Sequence, residues 1–167
     1  TIVIDGKHSH QGRYLTGGVY KLAAIEKDGK IIPKIKVSEN VGKITIPGFK
    51  QVYRLFDRDS GKAIADVITL HDEVIDDSKP YEIFHPIYTW KRKTITNFYA
   101  KKLLVKIFDG GESVYESPNI EDIRNYCGEQ INTLWEEVRR FEKPHKYFVD
   151  LSESLWTIKN QLLEKHK

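Results

Sequence analysis

The sequence predicts an α+β fold: a mainly antiparallel β-meander followed by a C-terminal helix pair. Three observations carry that expectation. Apolar and polar residues alternate with period two in short runs through the first part of the chain. Asp-Gly, Pro-Gly and Ser-Gly steps separate those runs. Toward the end, two longer stretches space their apolar residues as a helix does.

Residues 19–26 (VYKLAAIE) read as a strand, and Lys27-Asp28-Gly29-Lys30 as a turn with the Asp-Gly hairpin signal. Ile31, Pro33, Ile35 and Val37 then alternate with Ile32, Lys34, Lys36 and Ser38, which predicts a half-buried strand. Pro33 has no N–H for a ladder, so that strand belongs at an edge. Ser38-Glu39-Asn40 is a polar break and Pro47-Gly48 a turn. Residues 50–57 (KQVYRLFD) and 62–70 (KAIADVITL) read as two strands joined through Arg58-Asp59-Ser60-Gly61. Together these segments make a meander of about four strands, too thin to stand without a cover.

Residues 71–82 are acidic and loop-like, and 83–102 are aromatic and basic without a clear period. Residues 103–108 and 113–115 suggest a hairpin around Asp109-Gly110-Gly111. Ser117 is placed to cap a helix, with Pro118 at its first position. Ile120, Ile123, Cys127, Leu134, Val138 and Phe141 fall on one face of that helix, and Lys143-Pro144 ends it. Gly128 costs about 1 kcal/mol relative to alanine there, and its small size suits a close approach by another element. Asp150 and Glu153 have capping-box spacing for a last helix striped by Leu151, Leu155, Ile158 and Leu162. The two helices are expected to form an antiparallel pair packed on the sheet.

A chain of 167 residues suits one domain or one compact piece of a larger one. With 40% hydrophobic and 31% charged residues it can bury a core beneath an ordinary soluble surface. A net charge of +3 is too small to demand a polyanionic partner. No run approaches the roughly 18 apolar residues of a membrane span. The opening TIVIDGKHSHQGR lacks signal-peptide anatomy. Cys127 is the only cysteine, so no internal disulfide forms and a reducing, cytoplasmic setting is expected. Methionine is absent even at position 1, and Thr1 suggests a processed chain, a cloned piece or a proteolytic fragment.

A longer pattern runs through these elements. It begins with Gly17-Gly18-Val19-Tyr20-Lys21-Leu22 and continues through KVSEN at 36–40, Lys43, Thr45, Pro47-Gly48, Lys50 and Tyr53-Arg54. Asp66 and Asp72-Glu73 follow, then Ile123-Arg124, Leu134-Trp135-Glu136 and the Arg139–Phe141 run. Pro144-His145, Tyr147 and Val149-Asp150-Leu151-Ser152 close it. In order and spacing, roughly residues 16–165 resemble the C-terminal portion of the nicotinate phosphoribosyltransferase family. Residues 1–15 are then a variable N-terminal segment and 16–167 the C-terminal α+β region.

The resemblance implies a parent enzyme that joins nicotinate to phosphoribosyl pyrophosphate, with ATP and magnesium, in NAD salvage. It also implies that the catalytic centre lies in a β/α barrel preceding this segment. The expected role here is structural and interfacial, with no catalytic residue, metal or cofactor of the chain's own and no turnover alone. Expected partners are the rest of the parent enzyme, its N-terminal domain and barrel, and a second copy in a homo-oligomer. The family's Gly-Val-Gly-Thr-like phosphate motif is replaced here by TIVIDGKHSHQGRYLT. His8 and His10 do not match the family's phosphorylated histidine.

Lys36, Ser38, Lys43, Lys50 and Arg54 surround two turns and are candidates for a phosphate or substrate edge, because clustered cations neutralise phosphoryl charge. Equally, Ser38 could cap a short helical turn while the lysines guard a strand edge. Gly17-Gly18 could cradle phosphate through backbone N–H groups, or simply supply turn geometry. The Trp90–Lys93 and Phe98–Lys102 segments interleave aromatics with cations. A stand-alone, non-catalytic binding module using surface 88–102 is therefore the alternative reading. Against it stands packing of the aromatics beneath lysine stems, and the low net charge argues against nucleic acid. His8-x-His10 lacks further metal ligands. His71-Asp72-Glu73 reads as an ordinary charged loop. Cys127 reads as a small buried hydrophobe, and Trp135 and Trp156 as packing residues of the terminal helices.

Overall fold

The computed structural model describes the backbone of residues 2–8 and 14–166, and the side chains of residues 21–166. His10 and the side chain of His8 lie outside the described residues. The chain divides into two compact units, Lys50–Glu153 and a unit made of Thr1–Phe49 with Ser154–Lys167.

In the smaller unit, β1 (Ile2–His8) and β2 (Tyr14–Tyr20) pair antiparallel. Gly17 and Gly18 sit inside β2 opposite Asp5 and Ile4, so they form a ladder and not a turn before a strand. The single strand expected over 19–26 is divided between β2 and β3 (Ala24–Lys27). β3 and β4 (Lys30–Pro33) form the expected hairpin. Its turn residues Asp28 and Gly29 have φ of 51° and 69°, the left-handed pair a tight two-residue hairpin needs. β4 ends at Pro33, well before the predicted 37, and Lys34 N–H donates instead to Ala23 O at 2.8 Å. A 3-10 turn follows at Val41–Lys43, capped by Asn40, whose side chain accepts from Gly42 N–H at 2.9 Å. The cap is therefore Asn40 and not Ser38.

The larger unit is built on a four-stranded sheet. Its order is β12 (Phe148–Leu151), β6 (Ala63–Leu70), β5 (Lys50–Asp57), β9 (Phe98–Lys102). β5 and β6 match the sequence reading and pair antiparallel. Their connection is set by Asp57, which accepts from Ser60 N–H at 2.8 Å, and by Gly61 at φ 65°. β12 runs parallel to β6, Val149 facing Asp66. The mainly antiparallel α+β architecture is the expected one, with a single parallel pairing added at the edge of this sheet, and residues 148–151 form a strand where a helix cap was expected. β7 (Tyr81–Phe84) and β8 (Arg92–Ile95) make a separate ribbon within the stretch that had no clear period. β10 (Phe108–Asp109) and β11 (Glu112–Ser113) form a short hairpin at the expected Gly-Gly turn.

One face of the sheet carries Tyr53, Leu55, Ala65 and Val67, all at most 3% exposed. Ile75, Ile83, Ile95 and Phe98 close over them to complete the core. The pattern follows from pleating, since alternate residues of β5 and β6 share a face.

Helix α1 covers Ile120–Asn132 and starts at Asn119, two residues after the predicted cap. The Asn119 side chain accepts from Asp122 N–H and donates to its carboxylate, at 2.9 and 2.8 Å. Glu121 and Asp122 lie in the first turn, where they oppose the positive end of the helix dipole. α1 stops near Thr133 because its terminal carbonyls find other donors. Ala63 N–H donates to Thr133 O at 2.8 Å and Lys62 Nζ to Asn132 O at 2.7 Å. Leu134, Val138 and Phe141 consequently leave the predicted helix face. Val138 lies in the short α2 (Glu136–Arg139) and Phe141 is fully exposed. Among the described residues, nothing lies within 4 Å of a Cβ added at Gly128, so the expected close approach is not made there. α3 (Glu153–Glu164) is the expected last helix, with Leu155 wholly buried.

Candidate functional site

β5 and β6 place Arg54 directly opposite Asp66, on the sheet face turned away from the core. Arg54 Nε and Nη2 donate to the two carboxylate oxygens of Asp66 at 2.8 and 3.0 Å. This is the bidentate fork in which guanidinium and carboxylate geometries match. Arg54 Nη1 reaches Gln130 Oε1 of α1 at 3.2 Å. The Tyr147 hydroxyl donates to Asp66 Oδ1 at 2.9 Å, and the Arg54 guanidinium lies 5.8 Å from the Tyr147 ring centre. The two charged side chains are only 17% and 13% exposed. The hydrogen bonds to Asp66 raise the Arg54 pKa above its ordinary value. Burial, then the neighbouring Asp66 charge, push the Tyr147 phenol well up. The Arg54 guanidinium, the Asp66 carboxyl group and the Tyr147 phenol thus lock β5, β6, α1 and the approach to β12 together.

A second polar node lies at the far end of β6. Ser152 Oγ donates to Glu73 Oε1 at 3.0 Å, Leu70 N–H donates to the same oxygen at 3.3 Å, and Tyr53 OH donates to Glu73 O at 2.9 Å. Tyr81, partly buried in this unit, is pushed up to about 12 by burial and by the charges of Glu73 and Glu153.

The predicted site residues are divided between the two units, Lys50 and Arg54 in one and Gly17, Gly18, Lys36, Ser38 and Lys43 in the other. Arg54 is committed to Asp66. Lys50, at the start of β5, is half-buried, and burial lowers its pKa. Lys36 and Lys43 are exposed and Ser38 partly buried in the other unit. Lys43 offers its backbone carbonyl to Lys21 Nζ at 2.7 Å. Near Lys36 and Lys43, Thr45 is 7% exposed, and its hydroxyl has no hydrogen-bond partner among the described residues. Gly17 and Gly18 lie in β2.

His71 Nδ1 lies 3.8 Å from Asp72 at an exposed turn. Cys127 is exposed, contrary to the expectation of a buried thiol. On surface 88–102, Trp90 is 73% exposed and stands 5.3 Å from the ring of Tyr88, with Lys91 Nζ 5.0 Å from the same ring. Lys102 Nζ instead lies over the buried Tyr53 ring at 5.8 Å.

Sequence reasoning did not find the open cavity of about 580 Å³ beside β7, β8 and β12. Ile64, Ile83, Ile95 and Val138 line it, Trp135 and Phe148 contribute aromatic surface, and Lys93, His145 and Lys146 add basic groups. Ile64 sits at the register shift of β5 and β6, which no local propensity announces. Arg54 and Asp66 did carry a signal, because they lie at equal distance on either side of Ser60 in the turn.

Among the described residues no group of three or more His, Cys, Asp or Glu could hold a metal ion, and no helix is long and apolar enough to cross a membrane. The sheet, the charged fork and the Glu73 node lie within the stretch 49–159 that matches the nicotinate phosphoribosyltransferase C-terminal domain model. A nicotinate phosphoribosyltransferase of Bacillus subtilis is 45% identical over 151 residues, 90% of this chain and 31% of that protein. That of Dictyostelium discoideum is 32% identical, over 92% of this chain and 27% of its own. A crystal structure of human nicotinic acid phosphoribosyltransferase superposes with a TM-score of 0.69 at 25% identity, over 88% of this chain and 27% of that one. The chain thus spans about a third or less of the length of these relatives. It belongs to the nicotinate phosphoribosyltransferase family and corresponds to that family's C-terminal domain.

Proposed function

We propose that this chain works as the C-terminal part of an enzyme that converts nicotinate and phosphoribosyl pyrophosphate to nicotinate mononucleotide, as the names of its relatives suggest. The observation that carries the reading is where the family-like residues lie. Arg54, Asp66 and Tyr147 come from three separate segments and meet in one network, while Glu73 and Ser152 meet in another. Both networks spend their polar groups on each other. That supports a role in holding a domain together, with the chemistry performed elsewhere in the longer enzyme.

In this reading the chain contributes structure and interface within a homo-oligomeric cytoplasmic enzyme. ATP and magnesium act in the whole enzyme, and no step is derived through them on these residues. Lys36, Ser38, Lys43 and Lys50 are carried forward as candidates for a phosphate edge, along with the backbone of Gly17 and Gly18.

The test is direct. The purified chain, given nicotinate, phosphoribosyl pyrophosphate and Mg-ATP, should form no nicotinate mononucleotide. Joined behind the remaining two thirds of the Bacillus subtilis relative, it should restore turnover. Turnover by the chain alone, or none by the joined protein, refutes the reading. In the joined protein, alanine at Lys36, Lys43 and Lys50 should raise the KM for phosphoribosyl pyrophosphate, and an unchanged KM removes those lysines from the site.

The exposed Tyr88–Trp90–Lys91 cluster favours a second reading, a binding module that uses surface 88–102. Binding of a single-stranded oligonucleotide with a steep salt dependence would support it.

A further inference from the structure

Helix α1 is amphipathic, but none of its residues is buried. At 100° per residue, Ile120, Ile123, Cys127 and Ile131 fall along one stripe, with Tyr126 at its margin. Ile120 is 74% exposed, Ile123 52%, Tyr126 53% and Ile131 47%, and Cys127 is exposed as well. Glu121, Asp122, Asn125, Glu129 and Asn132 occupy the other side. A short surface helix gains most of its stability by burying such a stripe. Here it does not, although the helix is firmly placed. Lys62 and Ala63 hold its C-terminal carbonyls, and Gln130 is tied to Arg54.

We propose that this stripe is a docking face for the polypeptide that the longer relatives carry outside this segment, and that an apolar groove of that polypeptide covers it. The inference rests on the reading that the chain is one part of such an enzyme. Two observations select this occupant. The chain accounts for only 31% of the Bacillus relative, so most of an enzyme's polypeptide remains to cover exposed apolar surface. The stripe is also too small for a second copy to bind by it alone. A 13-residue helix presents a strip roughly 20 Å by 10 Å, far short of the ~800 Å² per partner that a stable interface between separate chains uses. A segment of the same polypeptide avoids most of the entropy that separate chains lose on association, so a small contact suffices.

Cys127, the only cysteine, reports on the face without mutation. Its maleimide labelling rate is measured in the chain alone and in the joined protein whose Bacillus-derived cysteines are replaced by alanine. Labelling should slow roughly tenfold or more on joining, as for a group reached only through local opening. An Asn125→Cys probe in a Cys127→Ala background, on the opposite side of α1, should label equally fast in both. Ile123→Glu should leave the thermal midpoint of the chain alone unchanged and lower that of the joined protein.

Equal Cys127 labelling in the two proteins overturns the docking face. Nicotinate mononucleotide formation by the same joined preparation then shows whether the parent reading stands without it. Protection of Cys127 in the chain alone also overturns the proposal. Dependence of that protection on concentration identifies a second copy as the cover, and independence identifies the chain itself.

Discussion

Removing the Asp66 carboxylate tests whether the fork on β5 and β6 holds the larger unit together. Asp66→Ala takes away both carboxylate acceptors of the Arg54 guanidinium, whose side chain is 17% exposed in the parent, and leaves it Gln130 and the Tyr147 hydroxyl. It also strips the Tyr147 hydroxyl of its acceptor. Breaking a buried pair from one side costs about 3–5 kcal/mol, because the surviving charge stays desolvated. With 13–17% of each side chain still reached by water, the lower end applies, about 3 kcal/mol. Arg54→Met should cost a similar amount, since it leaves the carboxylate with the Tyr147 hydroxyl alone. The double variant Arg54→Met, Asp66→Leu should lie within about 1 kcal/mol of the parent, because replacing both charges by packed apolar groups removes the desolvation cost. Urea unfolding of the parent, Arg54→Met, Asp66→Leu and the double variant gives the coupling energy, expected at about 2 kcal/mol or more for groups in direct contact. An Asp66→Ala cost below about 1 kcal/mol, or a double variant that loses the sum of the singles, would refute the reasoning.

Two further outcomes follow from buried polar groups. Thr45→Val keeps the side chain's shape and deletes a buried hydroxyl that has no partner among the described residues. It should stabilise the chain by about 1 kcal/mol in urea unfolding, and a loss of that size would show that the hydroxyl is satisfied. Asp150 is 3% exposed, and burial raises its pKa above the ordinary 3.8, against the lowering effect of His85 and Lys146. Folding therefore takes up protons at this site. The stability Asp150 contributes is full below about pH 3.8 and is lost as pH rises through its folded pKa. Asp150→Asn should accordingly gain on the parent from acid toward neutral pH and then level off. A constant or shrinking difference in midpoint denaturant concentration across that range contradicts the sign.

The parts of the fold visible in the sequence are those fixed by local rules. β5 and β6 alternate cleanly about a turn built by Asp57, Ser60 and Gly61, and both ends were readable to within a residue. The Asp28-Gly29 hairpin was readable because only a few residue types tolerate two successive left-handed conformations. What escaped was decided by distant partners. Residues 148–151 resemble a helix start when read alone, and become a strand because β6 offers them an open edge. The helix expected to run to 142 stops at Thr133 because Lys62 and Ala63 take its carbonyls. The amphipathic stripe points to a buried Cys127, yet periodicity gives the apolar side of a helix and not what lies against it. Among the candidate residues, charge and turn composition identified Arg54, but its commitment to Asp66 needed the register of two strands and the arrival of Tyr147.

The parallel pairing of β12 with β6 also sets an order of events at birth. β6 finds β5 at once, across a short turn, but its other edge waits for a strand about eighty residues further along the chain. At roughly 5–20 residues per second, that edge stays open for on the order of 4–16 seconds of synthesis. During this interval the emerging chain presents unpaired N–H and C=O groups beside Ile64 and Ile68, which can template pairing with another nascent chain. Translation that stalls before Phe148 would prolong that exposure indefinitely. The last short strand is thus the seal on an aggregation-prone edge, and the speed with which it arrives helps determine how much of the protein survives its own synthesis.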